Sequence, residues 1–159
     1  MDKKYIFELF NYNFQVNQEL LTIIEKHESP DERILNLISH ILTAEKIWLM
    51  RLQGKDLSGL DIWPVLSLND CRKQLTENRK SYADYLENIS DRKLISDLIY
   101  KNSKGDKFNT PIRDILMHVI IHGGYHRGQI ASTVRKEGGE PINTDYIHYV
   151  RFMKSDSNL

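Results

Sequence analysis

The sequence predicts an all-α fold, a four-helix bundle with a short hairpin-like connection before the last long helix. Two observations lead to this prediction: long segments in which apolar residues recur every three or four positions, and capping signals that separate these segments. Each segment would present one apolar face, and packing these faces together around one core is the natural solution. We expect a single domain over residues 1–154 and a frayed tail over residues 155–159.

The first two helices are predicted from periodicity and capping. Helix one should run from Tyr5 to about His27, with the apolar residues Ile6, Leu9, Phe10, Phe14, Leu20, Leu21 and Ile24. Ser29, Pro30 and Glu32 then supply a capping serine, a first-turn proline and a glutamate that can close a capping box. Helix two should continue to about Leu52, with a buried stripe of Ile34, Leu37, Ile38, Ile41, Ala44, Trp48 and Leu52.

The third helix follows a segment without helical period. Residues 53–66 are too apolar for a free linker, and we expect them to pack over one end of the bundle. Ser67 and Asp70 open helix three, which ends at Ser90-Asp91. Its predicted buried residues are Cys71, Leu75, Tyr82, Leu86 and Ile89.

The last long helix follows a predicted hairpin between Ile99 and Phe108. Thr110-Pro111 is interpreted as a cap followed by a first-turn proline, and the helix should run from Ile112 to Lys136. The tail is aromatic enough to dock on the domain, through Tyr146, Ile147, Tyr149, Val150 and Phe152.

Composition narrows the function classes. Lysine plus arginine and aspartate plus glutamate both number 22, so no net positive field favours nucleic acid, and no nucleic-acid partner is expected. The single cysteine, Cys71, can form no internal disulfide, which suits a reducing compartment. The N-terminus lacks the apolar run of a signal peptide, and no stretch approaches the roughly 18 apolar residues of a membrane span. We therefore expect a cytoplasmic protein without a membrane partner.

The spacing of the histidines gives the clearest indication of function. His118, His122 and His126 follow one another at steps of four, so on a helix the imidazoles climb one face, about 40° apart. His122 and His126 should point into the bundle, whereas His118 lies at the border. Two imidazoles on adjacent turns can bind one ion, and His40 on helix two is the best candidate for the third ligand. Three neutral imidazoles with an open fourth position are typical of a catalytic metal site.

A buried cluster without metal is the competing interpretation. A lone histidine beside an apolar stripe, such as His40, is usually a hydrogen-bonded core residue. Histidines stacked inward on one helix are costlier to bury, because each ring nitrogen needs a partner and neighbouring imidazolium charges repel. The residues alone leave both interpretations open. His27 and His148 are predicted to be surface or cap residues.

Neighbouring residues suggest roles without settling them. Tyr125, Gln129 and Arg51 should lie near the histidine face, but none is assigned as a catalytic residue. Arg127 lies about 100° from His126 around the helix, and we expect it to be a structural partner for Glu45 or another carboxylate. Apolar residues on the outer side of the last helix, Met117, Ile120 and Ile121, predict a homodimer, or else cover by the tail.

Two longer motifs allow a family comparison. They are His118-x3-His122-x3-His126-Arg127-Gly128-Gln129 on the last helix and Ser39-His40-x4-Glu45-x2-Trp48-x2-Arg51 on the second. Weaker agreement lies in Tyr12-Asn13-x3-Asn17 and Gly139-x-Pro141-x3-Asp145-Tyr146. Through these motifs nearly the whole chain resembles the DinB/YfiT-like family of metal-dependent proteins.

The resemblance implies a fold and a metal. It implies a four-helix bundle with an unusual connection order, frequently dimeric, whose divalent metal is held by the residues matching His40, His122 and His126. His118 matches a common histidine that is not usually a ligand. Family members characterised as enzymes are thiol-dependent, including low-molecular-weight-thiol S-transferases and a mycothiol-dependent maleylpyruvate isomerase, while many members have no known substrate.

The first functional hypothesis is therefore a metal-dependent enzyme of the bacillithiol-type S-transferase class, which joins a small thiol to an electrophile. The metal would lower the pKa of a bound thiol or water. The alternatives are a non-catalytic, stress- or DNA-damage-induced metal-binding dimer and a metal-dependent hydrolase. Three imidazoles suit zinc, nickel, iron and copper alike, so the ligands do not name the metal; we expect zinc or nickel first, with iron as a further candidate.

Overall fold

Four long helices form the body of the computed structural model, which describes residues 2–26, 31–102 and 104–154. They are α1 (Lys3–Ile24), α2 (Glu32–Leu52), α3 (Leu68–Asn88) and α5 (Ile112–Lys136). Between α3 and α5 lie the short helix α4 (Asp91–Leu94) and the strands β1 (Asp97–Lys101) and β2 (Lys107–Pro111). After α5 come α6 (Tyr146–His148) and a π-helical turn (Tyr149–Met153). The predicted all-α class and the hairpin-like connection are confirmed.

The helix order around the bundle differs from the chain order. Helix α2 packs against α3 and α5, and α1 also packs against α3 and α5. Consecutive helices α1 and α2 therefore stand diagonally across the core, which is an unusual connection order of the kind expected from the resemblance. This arrangement places α2 beside α5, the two helices that carry the predicted metal ligands.

The helix starts agree with the sequence in part. The Ser67 side chain accepts a hydrogen bond from the backbone N–H of Asp70, so the predicted cap of α3 is confirmed. The cap of α2 is Asp31, whose carboxylate accepts from the N–H of Arg33 at 2.6 Å, and the cap predicted at Ser29 is wrong. Ser29 itself lies outside the described residues, as do His27, Pro30 and the tail over 155–159.

The entry to α5 also differs from the prediction. Thr110 and Pro111 belong to β2, where they pair with Leu98 and Asp97 of β1. Pro111 takes the N-cap position with extended backbone and no side-chain cap, so it is not a first-turn residue. The physical reason is that β2 continues directly into α5, and the hairpin already fixes the direction in which the chain enters the helix.

The two irregular segments both pack on the bundle. The N–H of Leu66, near the end of the segment 53–66, donates to the Ser39 hydroxyl on α2. In the tail, the Tyr146 and Tyr149 rings make edge contacts with Tyr12 of α1. Docking of the tail is confirmed for these tyrosines, whereas Ile147, Val150 and Phe152 are exposed. Within the described ranges, no helix combines the length and apolar character needed to cross a membrane.

Candidate metal centre

The three predicted ligands come together between α2 and α5. Nε2 of His122 lies 3.3 Å from Nε2 of His40 and 3.2 Å from Nε2 of His126. One ring nitrogen from each histidine falls within 4.8 Å of the other two. His40 and His126 are buried and His122 is half-buried. These histidines could hold a metal ion.

For His40 and His126, a hydrogen bond at Nδ1 determines that Nε2, the nitrogen facing His122, carries the lone pair. Nδ1 of His40 lies 2.8 Å from the Ile62 carbonyl oxygen, and Nδ1 of His126 lies 2.8 Å from Oε1 of Gln129. An oxygen acceptor requires a proton on Nδ1, so in the neutral ring Nε2 carries the lone pair. Both outer histidines therefore direct lone pairs at His122.

Hydrogen bonds among the three imidazoles cannot give all three facing nitrogens a partner. A neutral His122 has one N–H, so Nε2 can donate to His40 or to His126 but not to both. A metal ion accepts all three lone pairs at once. Nitrogens bound to zinc at about 2.0–2.1 Å in tetrahedral geometry are about 3.3 Å apart, close to the separations of 3.2 and 3.3 Å between the Nε2 atoms. The donor set and these two separations thus fit a transition-metal ion.

Burial favours the neutral form of His122 and His40. Loss of solvation lowers the pKa of His122 to about 4, and the neighbouring His126, His40 and His118 add to the decrease. The pKa of His40 is also lowered by burial, and partly restored by the hydrogen bond to Ile62. Neutral imidazole is the form that ligates a metal, so the site is prepared for binding near neutral pH.

Segment 53–66 completes the site. The ring of Trp63 stacks on His40, and its exposed fraction is 55%. Together with the Ile62 carbonyl, this stack fixes the orientation of the imidazole from two sides. Sequence reasoning expected the segment at one end of the bundle but missed both contacts, because an irregular segment has no periodicity that predicts which atoms it presents.

The other residues near the site take different places. Gln129 orients His126, and the Tyr125 ring contacts His126 while remaining 66% exposed. His118 is exposed and lies outside the cluster, against the rings of Trp48 and His122. Arg51 lies over the Trp48 ring rather than at the ligands.

Glu45 forms the centre of a second, fully buried polar cluster. Its Oε1 accepts hydrogen bonds from the side-chain amides of Asn13 and Asn17 on α1, and its Oε2 accepts from Asn78 on α3. Burial raises the pKa of Glu45 to about 7, although the asparagine hydrogen bonds and the charge of Arg127 act to lower it. This cluster bridges the diagonal helices α1 and α2.

Arg127 joins the cluster from α5. Its Nη1 donates to Oδ1 of Asn13 at 2.8 Å and to Oδ1 of Asn17 at 2.9 Å, so Arg127 reaches Glu45 through the two asparagines. The sequence predicted a carboxylate partner for Arg127, but it did not predict that two asparagines would connect Arg127 to Glu45. The signal was present in the weaker motif Tyr12-Asn13-x3-Asn17, whose asparagines lie one helical turn apart.

Comparison with known proteins shows the family of the chain. The model of the DinB family matches residues 1–156. The chain belongs to the DinB family. It is 26% identical to the protein DinB of Bacillus subtilis (strain 168), with 96% of this chain and 97% of that protein covered. It is also 24% identical to the uncharacterized protein YizA of the same strain, over 88% of this chain and 92% of YizA.

Proposed function

We propose that the chain binds one divalent transition-metal ion, zinc or nickel, at His40, His122 and His126 and transfers a small thiol to an electrophilic substrate. One observation carries the proposal: His40, His122 and His126 each bring a ring nitrogen within 4.8 Å of the other two, and no fourth residue of the described ranges joins the group. A three-histidine site leaves a coordination position for substrate. When bound, the metal would supply a Lewis acid that lowers the pKa of a thiol.

The surroundings of the ligands favour a thiol over water as nucleophile. In the described part of the chain, the contacts of the three imidazoles are a backbone carbonyl, an amide side chain and aromatic rings, with no carboxylate among them. Hydrolysis commonly needs a general base to take a proton from water. A thiol ionises more readily than water, so it needs less help from the protein.

The thiol must come from outside the chain. Cys71 is the only cysteine in the sequence and is fully buried. Burial raises the pKa of its thiol, and the hydroxyl of Ser39 is its hydrogen-bond partner. A buried thiol with a raised pKa is a poor nucleophile. A low-molecular-weight thiol of the bacillithiol type can reach the ligands instead.

Exposed aromatic rings would hold the electrophile. Trp63 and Tyr125 contact His40 and His126 respectively, and both present most of their surface to solvent. Their faces can pack against a flat or apolar substrate next to the ligands. The residues assigned to the reaction are therefore the three histidines as ligands, with Ile62 and Gln129 holding two of them in orientation.

The proposal is tested with metal-loaded protein, monochlorobimane as electrophile, and bacillithiol, cysteine and glutathione as separate thiols. We expect faster conjugation with one thiol than with the others, and loss of the catalysed rate in His122→Ala. Stoichiometric metal uptake without catalysed conjugation of any thiol would favour the non-catalytic metal-binding protein. Metal-dependent ester hydrolysis without thiol would favour the hydrolase.

We also propose a homodimer, on a smaller surface than the sequence suggested. Ile120 is buried within the chain and Met117 is half-buried, so these two residues do not form an outer apolar face. Ile121 remains exposed on α5 and supplies the apolar contact. Light scattering at micromolar concentration should give the dimer mass, and a monomer mass would contradict the proposal.

A further inference from the structure

A partly open cavity lies on a part of α5 that the metal centre does not use. Its volume is about 140 Å³, and none of the three histidines lines it. Its walls are aliphatic side chains of α1, α2, α5 and the segment after α5, among them Leu20, Ile24, Ile34, Ile130, Val134 and Ile142. Walls of this kind favour a compact apolar group.

Arg127 gives this cavity one charged lining residue that is almost completely buried, with an exposed fraction of 1%. Its Nη1 is engaged by Asn13 and Asn17, as described above. Its Nε and Nη2 are buried and have no hydrogen-bond partner among the described residues. A buried N–H without an acceptor is costly, so these donors indicate a missing partner.

The two unpaired nitrogens define the chemistry of that partner. Nε–H and one Nη2–H point in parallel from the same edge of a guanidinium, and this edge matches the two oxygens of a carboxylate. We propose that the cavity binds a small carboxylate with a branched apolar tail, held by Arg127 at one end and by the aliphatic walls at the other. The proposal is independent of the metal centre and of thiol transfer.

The volume limits the size of the ligand. An engineered apolar cavity of about 150 Å³ binds benzene, a molecule of six carbons. The cavity around Arg127 is similar in size and partly open, so it suits an apolar tail of about four to six carbons, with the carboxylate group placed at Arg127. Longer fatty acids would not fit without displacement of the walls, because packed interiors deform little.

Two sources share this chemistry, a simple branched acid and a branched amino acid. Asp31, Glu137 and Glu140 also line the cavity, and the pKa of Asp31 is lowered, chiefly by a side-chain hydrogen bond with Glu137. These acidic groups would attract the ammonium group of an amino acid. They would repel a simple acid, which carries only the negative charge of its carboxylate. Comparing the two ligands therefore identifies the source, while the contact with Arg127 is common to both.

The experiment is a calorimetric titration of the full-length, metal-loaded protein with isocaproate, leucine and isohexanol. These probes have the same branched tail, and isohexanol lacks the carboxylate. We expect isocaproate or leucine to bind at least about tenfold more tightly than isohexanol, since a charge-assisted bidentate contact is worth that much. Whichever of isocaproate and leucine binds more tightly shows whether the ligand is a simple acid or an amino acid. Equal affinity for all three probes, or no binding at millimolar concentration, would overturn the proposal.

A pair of variants locates the binding. Ala131 lines the cavity, and Ala131→Leu should fill part of it and reduce affinity for the carboxylate at least about tenfold without touching Arg127. Ser132→Leu adds a leucine at the next, exposed position of α5 and should leave affinity unchanged. Both variants should keep the metal content of the wild type. Equal affinity in Ala131→Leu and Ser132→Leu would place the ligand elsewhere and contradict the proposal.

A spectroscopic readout identifies the contact itself. The Nε–H of a buried arginine gives a distinct nitrogen-15 resonance, and the resonance of Arg127 should shift when the carboxylate binds. The shift should saturate with the same dissociation constant as the calorimetric signal. A carboxylate that binds without moving this resonance would show that Arg127 is not its partner.

Discussion

The indole ring of Trp63 lies flat against the imidazole of His40, with 3.5 Å between the ring centroids and 4° between the ring planes. The stack holds His40 on one face, while the Ile62 carbonyl holds its Nδ1. Contacts that orient a ligand typically change metal affinity by 10–100-fold. We therefore expect Trp63→Ala to weaken zinc binding about tenfold, as measured by competition with a chromophoric chelator.

Val65→Ala is the matched control for this prediction. Val65 lies in the same segment and is 67% exposed, so its truncation also removes apolar surface without a contact to His40. We expect wild-type affinity in Val65→Ala. Equal weakening in both variants would mean that the segment as a whole, rather than the stack, supports the site.

His122→Ala should abolish most metal binding, because two imidazoles hold an ion far less tightly than three. His118→Ala removes an imidazole one turn earlier on the same helix, from a residue outside the cluster, and should leave about one metal per chain. Elemental analysis after incubation with zinc or nickel measures both. Loss of metal in His118→Ala with retention in His122→Ala would reverse the assignment of the ligands.

Acid should release the metal at a lower pH than free imidazole would imply. Burial lowers the pKa of His122 from 6.5 to about 4 and also lowers that of His40, so protonation of these two ligands competes with the metal below the usual histidine range. The stabilisation by zinc should therefore persist at about pH 5.5 and disappear towards about pH 4. Melting temperatures with and without zinc test this. A zinc increment that is unchanged near pH 4 would indicate carboxylate ligands.

Glu45 should make the metal-free protein less stable as the pH rises. Its pKa is raised from 4.5 to about 7 in the folded state, so between these values the folded chain holds a proton that the unfolded chain has lost. This contribution to stability is fully present below pH 4.5 and is lost as the pH rises through about 7. The loss between about pH 5 and about pH 8 is on the order of 2 kcal/mol.

Urea unfolding of wild type and Glu45→Gln at those two pH values isolates this effect. The glutamine cannot ionise, so the free-energy difference between wild type and variant should itself change with pH by the stated amount. Glu77→Gln removes an exposed carboxyl on α3 and should not change the pH profile. A difference between wild type and Glu45→Gln that is the same at both pH values would contradict the raised pKa.

Two glycines of α5 should respond oppositely to alanine. A Cβ at Gly123 would lie 2.9 Å from both Nη1 of Arg127 and Oδ1 of Asn13, where these groups form a buried hydrogen bond. A Cβ at Gly128 would meet nothing within 4 Å. Alanine is favoured over glycine in a helix by about 1 kcal/mol. We expect Gly128→Ala to raise the free energy of unfolding by up to this amount and Gly123→Ala to lower it, as measured by urea unfolding. Stabilisation by both substitutions would show that Arg127 can move aside.

The sequence by itself determined the helices and the direction of the histidines. Helical periodicity and the Ser67 cap are local properties, so they could be predicted from neighbouring residues alone. The four-residue spacing of His122 and His126 is also local, and it places both rings on one face of α5. His40 could be proposed as the third ligand only as a polar residue beside an apolar stripe.

The tertiary structure decided how these parts meet. His40 and His122 are 82 residues apart, and their 3.3 Å separation depends on α2 lying beside α5, which periodicity does not specify. The contacts of Ile62 and Trp63 come from a segment without regular structure. The buried cluster of Glu45, Asn13 and Arg127 exists because α1 and α2 face each other diagonally, and hydrogen bonds in a core form only where packing brings distant side chains within reach.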